Sequence, residues 1–327
     1  MSTRSARVRA LAKVNLDLRV LGKRPDGYHE LRTILQTISL ADTMEIAFTP
    51  SSRIAVDLAC ALDIPDNLVA RAARLVLEAL RKTGHVQMRL KKRIPMGAGL
   101  GGGSSDAAAV LLALPALAGK SLGTERLLDL AQQLGSDVPF FLLGGAAVGI
   151  GRGTELFPLD DSQPRQGVVV ATGVHVSTPE AYRRLSPRLT TESQQNKIFS
   201  FQSQVWNRGL ARQPPGARRS AGTRLRASDA ANDFEDVVFE EHRRIAAIKR
   251  DLLRQGAETA MMTGSGSAVF GLFPTGGDAS RALESLGNTE AFRISLVGRA
   301  HYRSMWWHAL REHITGRIWP PRSRYAG

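Results

Sequence analysis

The chain has 327 residues, one cysteine (Cys60) and a formal net charge of +14. A lone cysteine excludes a disulfide framework and fits a reducing compartment. The longest apolar stretch, residues 138–150, is too short and too glycine-broken to cross a bilayer, and with no secretory signal in view the expectation is a soluble cytoplasmic protein. The positive charge sits at the periphery: residues 1–10 hold three Arg and no acid, residues 181–226 hold ten Lys/Arg against one acid, and residues 299–327 hold six Arg against one acid. The motif-bearing remainder is slightly acidic, so the charge reads as solvated surface rather than as a nucleic-acid footprint.

Taken along the chain, residues 7–20 alternate apolar positions and predict a strand. Pro25-Asp26-Gly27 within residues 22–27 predicts a turn. Residues 31–39 and 43–48 predict two further strands. In residues 67–83, Leu68, Ala72, Leu75, Val76, Ala79 and Leu80 fall at helical spacing. Residues 86–94 alternate apolar and charged side chains, a strand with one wet face. An alanine- and leucine-rich helix is expected over 107–114, and another over 127–134, ended by Gly135. A strand near 168–170 opens the second half. Residues 186–229 lack periodicity and read as a basic, irregular insertion. A helix is expected from about 235 to 255, then a strand–glycine loop–strand over 261–273. For the Arg/Trp-rich tail from His301 three readings stay open: docking on the core, oligomerisation or disorder.

Residues 94–109, IPMGAGLGGGSSDAAA, carry the most chemical information. Five glycines let backbone amides converge, and the helix amino terminus behind them adds unpaired N–H groups and partial positive charge. The combination is a cradle for an anion, above all phosphate. The segment also satisfies G-x-G-x-x-G, but the preceding half-wet strand and Pro95 do not suit a dinucleotide fold. Gly119-Lys120-Ser121 is no Walker loop, because Leu114 stands where its first glycine belongs.

Pro95, Met96, Gly97, Ala98, Gly99, Leu100, Gly101, Gly102, Gly103, Ser104 and Ser105 together resemble the ATP loop of the GHMP kinase superfamily. Other segments match the same superfamily in order. They are Ala12-Lys13-Val14-Asn15-Leu16, Pro25-Asp26-Gly27-Tyr28-His29-Glu30-Leu31, Asp66-Asn67-Leu68-Val69, Gly135-Ser136-Asp137-Val138-Pro139 and Thr263-Gly264-Ser265-Gly266-Ser267-Ala268. Within the superfamily the Pro-Asp-Gly-Tyr-His turn is similar to that of kinases acting on a cytidine diphosphate-linked methylerythritol in the non-mevalonate route to isoprenoid precursors.

The resemblance implies an α+β, two-domain GHMP kinase fold. Residues 1–165 would form a ribosomal protein S5 domain 2-like, ATP-binding domain, residues 166–300 a ferredoxin-like domain, and 301–327 a tail. It implies ATP and Mg²⁺ as cofactors, with the metal ligands unassigned, and a small-molecule acceptor with neither nucleic acid nor membrane as partner. Asp137 would accept the acceptor's proton, and Lys13 would orient it and stabilise charge. Residues 95–105 and Asn67 would hold ATP; Asn15, Tyr28, His29, Gly264, Ser265 and Gly266 would hold the acceptor. From the residues alone, Asp137 also suits a helix cap, Asn67 the N-cap of its helix, and Lys13 an outward strand position. The rival functions are a homoserine or mevalonate type of GHMP kinase, and a polyanion-binding protein without catalysis.

Overall fold

The computed structural model describes residues 2–61, 67–161, 164–209 and 230–326. Asp66 of the fourth motif and residues 210–229 of the basic segment lie outside the described residues.

Two sheets organise the chain. The first contains β1 (Arg4–Lys23), β2 (His29–Pro50), β3 (Ala55–Cys60), β4 (Gly84–Lys91), β5 (Ala146–Gly151) and β6 (Glu155–Pro158). Its order is β3-β4-β2-β5-β6, with β1 also paired to β2. Only β3 and β4 run parallel. Helices α1 (Leu68–Leu80), α2 (Gly102–Ala118), α3 (Thr124–Leu134) and α4 (Val138–Leu143) share its main hydrophobic core. Residues 105–118 of α2 are all buried, as befits a helix that is apolar on every side.

The second sheet is antiparallel, in the order β10-β7-β9-β8, from β7 (Gln166–Val170), β8 (Thr259–Met262), β9 (Val269–Phe273) and β10 (Ala291–Ser295). The remaining helices are α5 (Thr178–Leu185), α6 (Thr191–Gly209), α7 (Glu235–Glu241), α8 (Arg243–Arg254), α9 (Gly276–Ser285) and α10 (Arg299–Ala309). Side chains alternate across a strand, and β7 shows the consequence. Val168 and Val170 enter the core beneath α5, α7, α8 and α9. Val169 instead joins Phe270, Val14 and Ile34 in a core that ties the two sheets together.

The structure corrects several expected boundaries. The two strands expected over 31–39 and 43–48 are one strand, β2, whose first half pairs β5 and whose second half pairs β4. Register shifts in β1 between Leu11 and Lys13 and between Asn15 and Asp17 let it follow this bend. Helix α2 starts at Gly102, five residues before the expected 107, because a glycine rather than a serine occupies its N-cap. The helix expected over 235–255 is two, broken at His242, whose backbone leaves the helical region. Residues 191–209 of the supposedly irregular segment form α6; its polar composition hides the helical period. The tail docks: Tyr302, Trp306, Leu310 and Ile314 enter the first sheet's core. No described helix is long and apolar enough to cross a membrane.

Candidate functional site

β1 supplies the first catalytic candidate. Residues 10–21 are buried on both faces, yet Lys13, Asn15, Asp17 and Arg19 lie among them. Buried charges need partners. The Lys13 Nζ donates to Asn15 Oδ1 at 2.7 Å and lies 3.8 Å from Asp137 Oδ2. Asn15 Nδ2 donates to Thr33 Oγ1 at 2.8 Å, which fixes the amide's orientation. Arg19 Nε donates to Asp17 Oδ1 at 2.7 Å, a structural pair behind the site. Lys13 is therefore inward, not an outward strand lysine.

Asp137 follows α3 and precedes α4. Although it holds the N-cap position of α4, its carboxylate makes no capping hydrogen bond. It stays about half exposed and faces Lys13. The helix-cap reading of Asp137 thus fails at the side chain, which is free to meet a substrate.

The glycine loop is locked from behind by the loop after β8. Gly99 has φ +81°, and a Cβ there would lie 2.1 Å from the Thr263 carbonyl oxygen. A Cβ on Gly266 would lie 2.4 Å from the Gly99 nitrogen. Ala268 N donates to the Ala98 carbonyl at 3.1 Å. Asn232 Nδ2 donates to the carbonyls of Met262 and Gly264, at 2.9 and 2.7 Å. Thr263 Oγ1 accepts from Asn15 N at 3.0 Å, joining this loop to β1. In front, Gly101 caps α2 with no side-chain hydrogen bond, leaving the first-turn amides for a ligand.

Within residues 95–105 the side chains divide. Ala98 and Leu100 are buried core residues, and Met96 is exposed. Ser105 is buried and its hydroxyl donates to the Leu11 carbonyl at 2.7 Å, which removes that hydroxyl as a phosphate ligand. Ser104 lines the cleft together with Gly99 and Gly101. Asn67 Oδ1 accepts from Val69 N at 3.0 Å, as the N-cap of α1. It does not line this cleft.

Asp106, next to the loop, faces inward. Lys92 Nζ donates to Asp106 Oδ2 at 2.7 Å and to Asp42 Oδ2 at 2.5 Å. Asp42 Oδ1 also accepts from Ile94 N at 2.8 Å. Burial pushes the Asp106 carboxyl up to about 7, opposed by Lys92 and reinforced by Asp42. The three groups anchor the end of β4 to α2 and keep the acid away from any bound phosphate.

All these elements open on one cleft of about 900 Å³. Lys13, Asn15, Asp137, Gly264 and Ser265 lie on its wall, as do Tyr28 and His29. His29 stacks on Tyr182 with ring centroids 4.5 Å apart, and its Nε2 shares a 2.7 Å hydrogen bond with Ser186 Oγ. Burial and the Lys23 charge lower the His29 pKa from 6.5, so the ring is neutral at neutral pH. Tyr182, pushed up to about 12 by burial and by Asp137, packs edge-on against Phe234. The Arg152 guanidinium covers the Tyr28 ring at 3.5 Å. Sequence reasoning missed Tyr182, Arg152, Thr263 and Asn232. Of these only Thr263 lies in one of the matched motifs, and no role attaches to it there.

Comparison with known proteins decides the family. The family model described as GHMP kinases N terminal domain matches residues 67–145, and that described as GHMP kinases C terminal matches residues 216–291. A 4-diphosphocytidyl-2-C-methyl-D-erythritol kinase of Solibacter usitatus (strain Ellin6076) is 60% identical over 328 residues, 99% of each chain. The chain belongs to the 4-diphosphocytidyl-2-C-methyl-D-erythritol kinase family of GHMP kinases. A crystal structure of 4-(cytidine 5'-diphospho)-2C-methyl-D-erythritol kinase superposes with a TM-score of 0.71 at 36% identity, covering 89% of this chain and 99% of that one. A homoserine kinase from Cytophaga hutchinsonii ATCC 33406 superposes with a TM-score of 0.62 at 17% identity, covering 90% and 95%. The second likeness is one of fold alone. The GHMP fold expected from the motifs is thereby established.

Proposed function

We propose that this chain transfers the γ-phosphate of ATP to the 2-hydroxyl of 4-diphosphocytidyl-2-C-methyl-D-erythritol. The observation that carries the reading is one cleft holding both the Lys13–Asp137 pair and the Pro-Asp-Gly-Tyr-His turn, beside the glycine loop. Sixty per cent identity to a kinase of that name over the whole chain supports the same acceptor.

Each residue then has a task. The amides of residues 99–104 grip the triphosphate, so the γ-phosphorus faces the cleft. Tyr28, His29 and Tyr182 form an aromatic bracket for the cytosine, and Arg152, on the same cleft wall, covers the Tyr28 ring. Asn15 and Ser265 hold the acceptor near the loop. Asp137 accepts the proton of the 2-hydroxyl as its oxygen attacks the γ-phosphorus and the bond to the ADP oxygen breaks. The Lys13 ammonium, buried beside the reacting atoms, stabilises the phosphoryl charge and keeps Asp137 in place.

Mg²⁺ belongs to this chemistry because it neutralises phosphate charge in such transfers. Among the described residues no group of three or more His, Cys, Asp or Glu could form a metal cage. That suits an ion carried mainly by the nucleotide phosphates and touching few protein ligands. Ser104 and Asp137 are the oxygen donors beside the loop that would hold it. We place the enzyme in the cytoplasm.

An acceptor panel tests the reading. ADP release should require the cytidyl acceptor and be absent with homoserine, with mevalonate and with no acceptor. Turnover with homoserine alone would overturn the substrate assignment. No turnover with any acceptor, together with salt-sensitive RNA binding, would replace the kinase by a polyanion-binding protein.

A further inference from the structure

The tail beyond residue 298 lies past both family-model matches, which end at residues 145 and 291. It nevertheless returns from the second sheet to the element that carries Asp137. Helix α4 has only six residues, so nearly all its carbonyls are helix-end carbonyls that need outside donors. Gly144 N satisfies Phe140 O at 2.9 Å. The next two carbonyls are satisfied by the tail: Tyr302 Oη donates to Phe141 O at 2.5 Å, and Trp319 Nε1 donates to Leu142 O at 3.0 Å.

The packing is built for this approach. A Cβ on Gly144 would lie 2.2 Å from the Tyr302 ring, so only glycine lets the ring close on the backbone. Tyr302 and Trp319 meet edge-to-face with centroids 6.2 Å apart, and Arg303 covers the Trp319 ring at 5.2 Å. Arg299 donates to the Leu159 carbonyl at 3.0 Å and the Ala146 carbonyl at 2.5 Å, closing the turn after α4. Helix α4 in turn touches the glycine loop: a Cβ on Gly101 would lie 2.9 Å from the Phe141 ring. One end of α4 is thus held by the tail while the other carries the cleft carboxylate, about 9 Å away along six residues.

We propose that Tyr302 and Trp319 are positioning residues for phosphoryl transfer: by capping the carboxy terminus of α4 they set Asp137 against Lys13. The idea rests on the role given to Asp137 above. Without the caps, two buried carbonyls lose their partners and α4 can fray or rotate, which moves a carboxylate that faces Lys13 at 3.8 Å.

The test is a double-mutant cycle on the full chain. Tyr302→Phe with Trp319→Phe removes both donors and leaves an aromatic ring at each position, a smaller one at 319. At a temperature where circular dichroism shows the variant folded, kcat should fall roughly 5- to 20-fold, as expected for a small misplacement of a catalytic group. KM for ATP should change less than about twofold, because the glycine loop keeps its own supports. In an Asp137→Ala background the same pair of substitutions should leave the residual rate unchanged. Unchanged kcat in the folded double variant would overturn the proposal and leave the tail a stabilising element. An equal loss in the Asp137→Ala background would overturn it as well, since the tail would then act on something else. Failure of the Asp137 assignment itself is distinguishable, because Asp137→Ala alone would then keep its activity.

Discussion

Replacing Asp137 with alanine should lower kcat by about 10²- to 10⁴-fold, the usual contribution of a positioned general base. The fold should survive. Asp137 is about half exposed, its carboxylate makes no cap on α4, and its ion pair with Lys13 spans 3.8 Å. Lys13 is buried but keeps its hydrogen bond to Asn15 Oδ1, so the loss of a long pair with a half-exposed carboxylate should cost little stability. KM for ATP should stay within a few-fold, since the nucleotide is held by amides from another element. Asp137→Asn should be nearly as slow, because an amide keeps the shape but does not take a proton. Steady-state kinetics with a melting curve for each variant checks the claim. A kcat within threefold of the parent in Asp137→Ala would remove Asp137 as the base.

The second large effect is structural. Gly99→Ala should destabilise the protein by about 3 kcal/mol or more, combining a strained φ with a forced displacement of packed backbone. The added Cβ would meet the Thr263 carbonyl oxygen at 2.1 Å, and that atom cannot swing aside as a side chain can. The loops over 95–101 and 263–268 would separate, so ATP binding should fail in whatever fraction remains folded. Gly256 provides the control. It has a similar φ, +92°, but nothing within 4 Å of its would-be Cβ. Gly256→Ala should cost about 1–2 kcal/mol, the backbone preference alone. Denaturant titration of the two variants separates the contributions. Equal losses would show that the interlocked loops do not govern stability at Gly99.

Much of the site was legible because its chemistry is written in local patterns. The glycine loop names itself by composition, whereas Lys13 read by itself suits an outward strand position and is placed inward only by the motif it belongs to and by the structure. Lys13 and Asn15, two residues apart on β1, share a face and are hydrogen-bonded to each other. What sequence could not supply was the third dimension. Thr263 and Asn232 act by reaching β1 and the loop after β8 across more than 200 residues and about 30 residues respectively. Tyr182 sits in a short helix with an ordinary amphipathic pattern, and nothing local distinguishes a ring that stacks on His29 from one that fills the core. Ser105 went the other way. Beside Ser104 it looks like a phosphate ligand, but one residue along a helix turns the side chain by about 100°, and the hydroxyl is spent on Leu11. Asp106 reads as a charge facing phosphate until Lys92 and Asp42 are placed around it. The helical segment 191–209 was obscured by its glutamines and serines, and the tail's destination by the absence of any local signal for long-range packing.

The central claim is that one cleft brings a hydroxyl, a base and a triphosphate together through residues far apart in the chain. A crystal structure with the cytidyl acceptor and a non-hydrolysable ATP analogue tests it most directly. The account expects the cytosine against Tyr28 and Tyr182, the γ-phosphate between the amides of residues 99–104 and Lys13, and the 2-hydroxyl within about 3.2 Å of an Asp137 oxygen. An acceptor seated with that hydroxyl turned away from Asp137, or a nucleotide bound elsewhere than at the glycine loop, would contradict it.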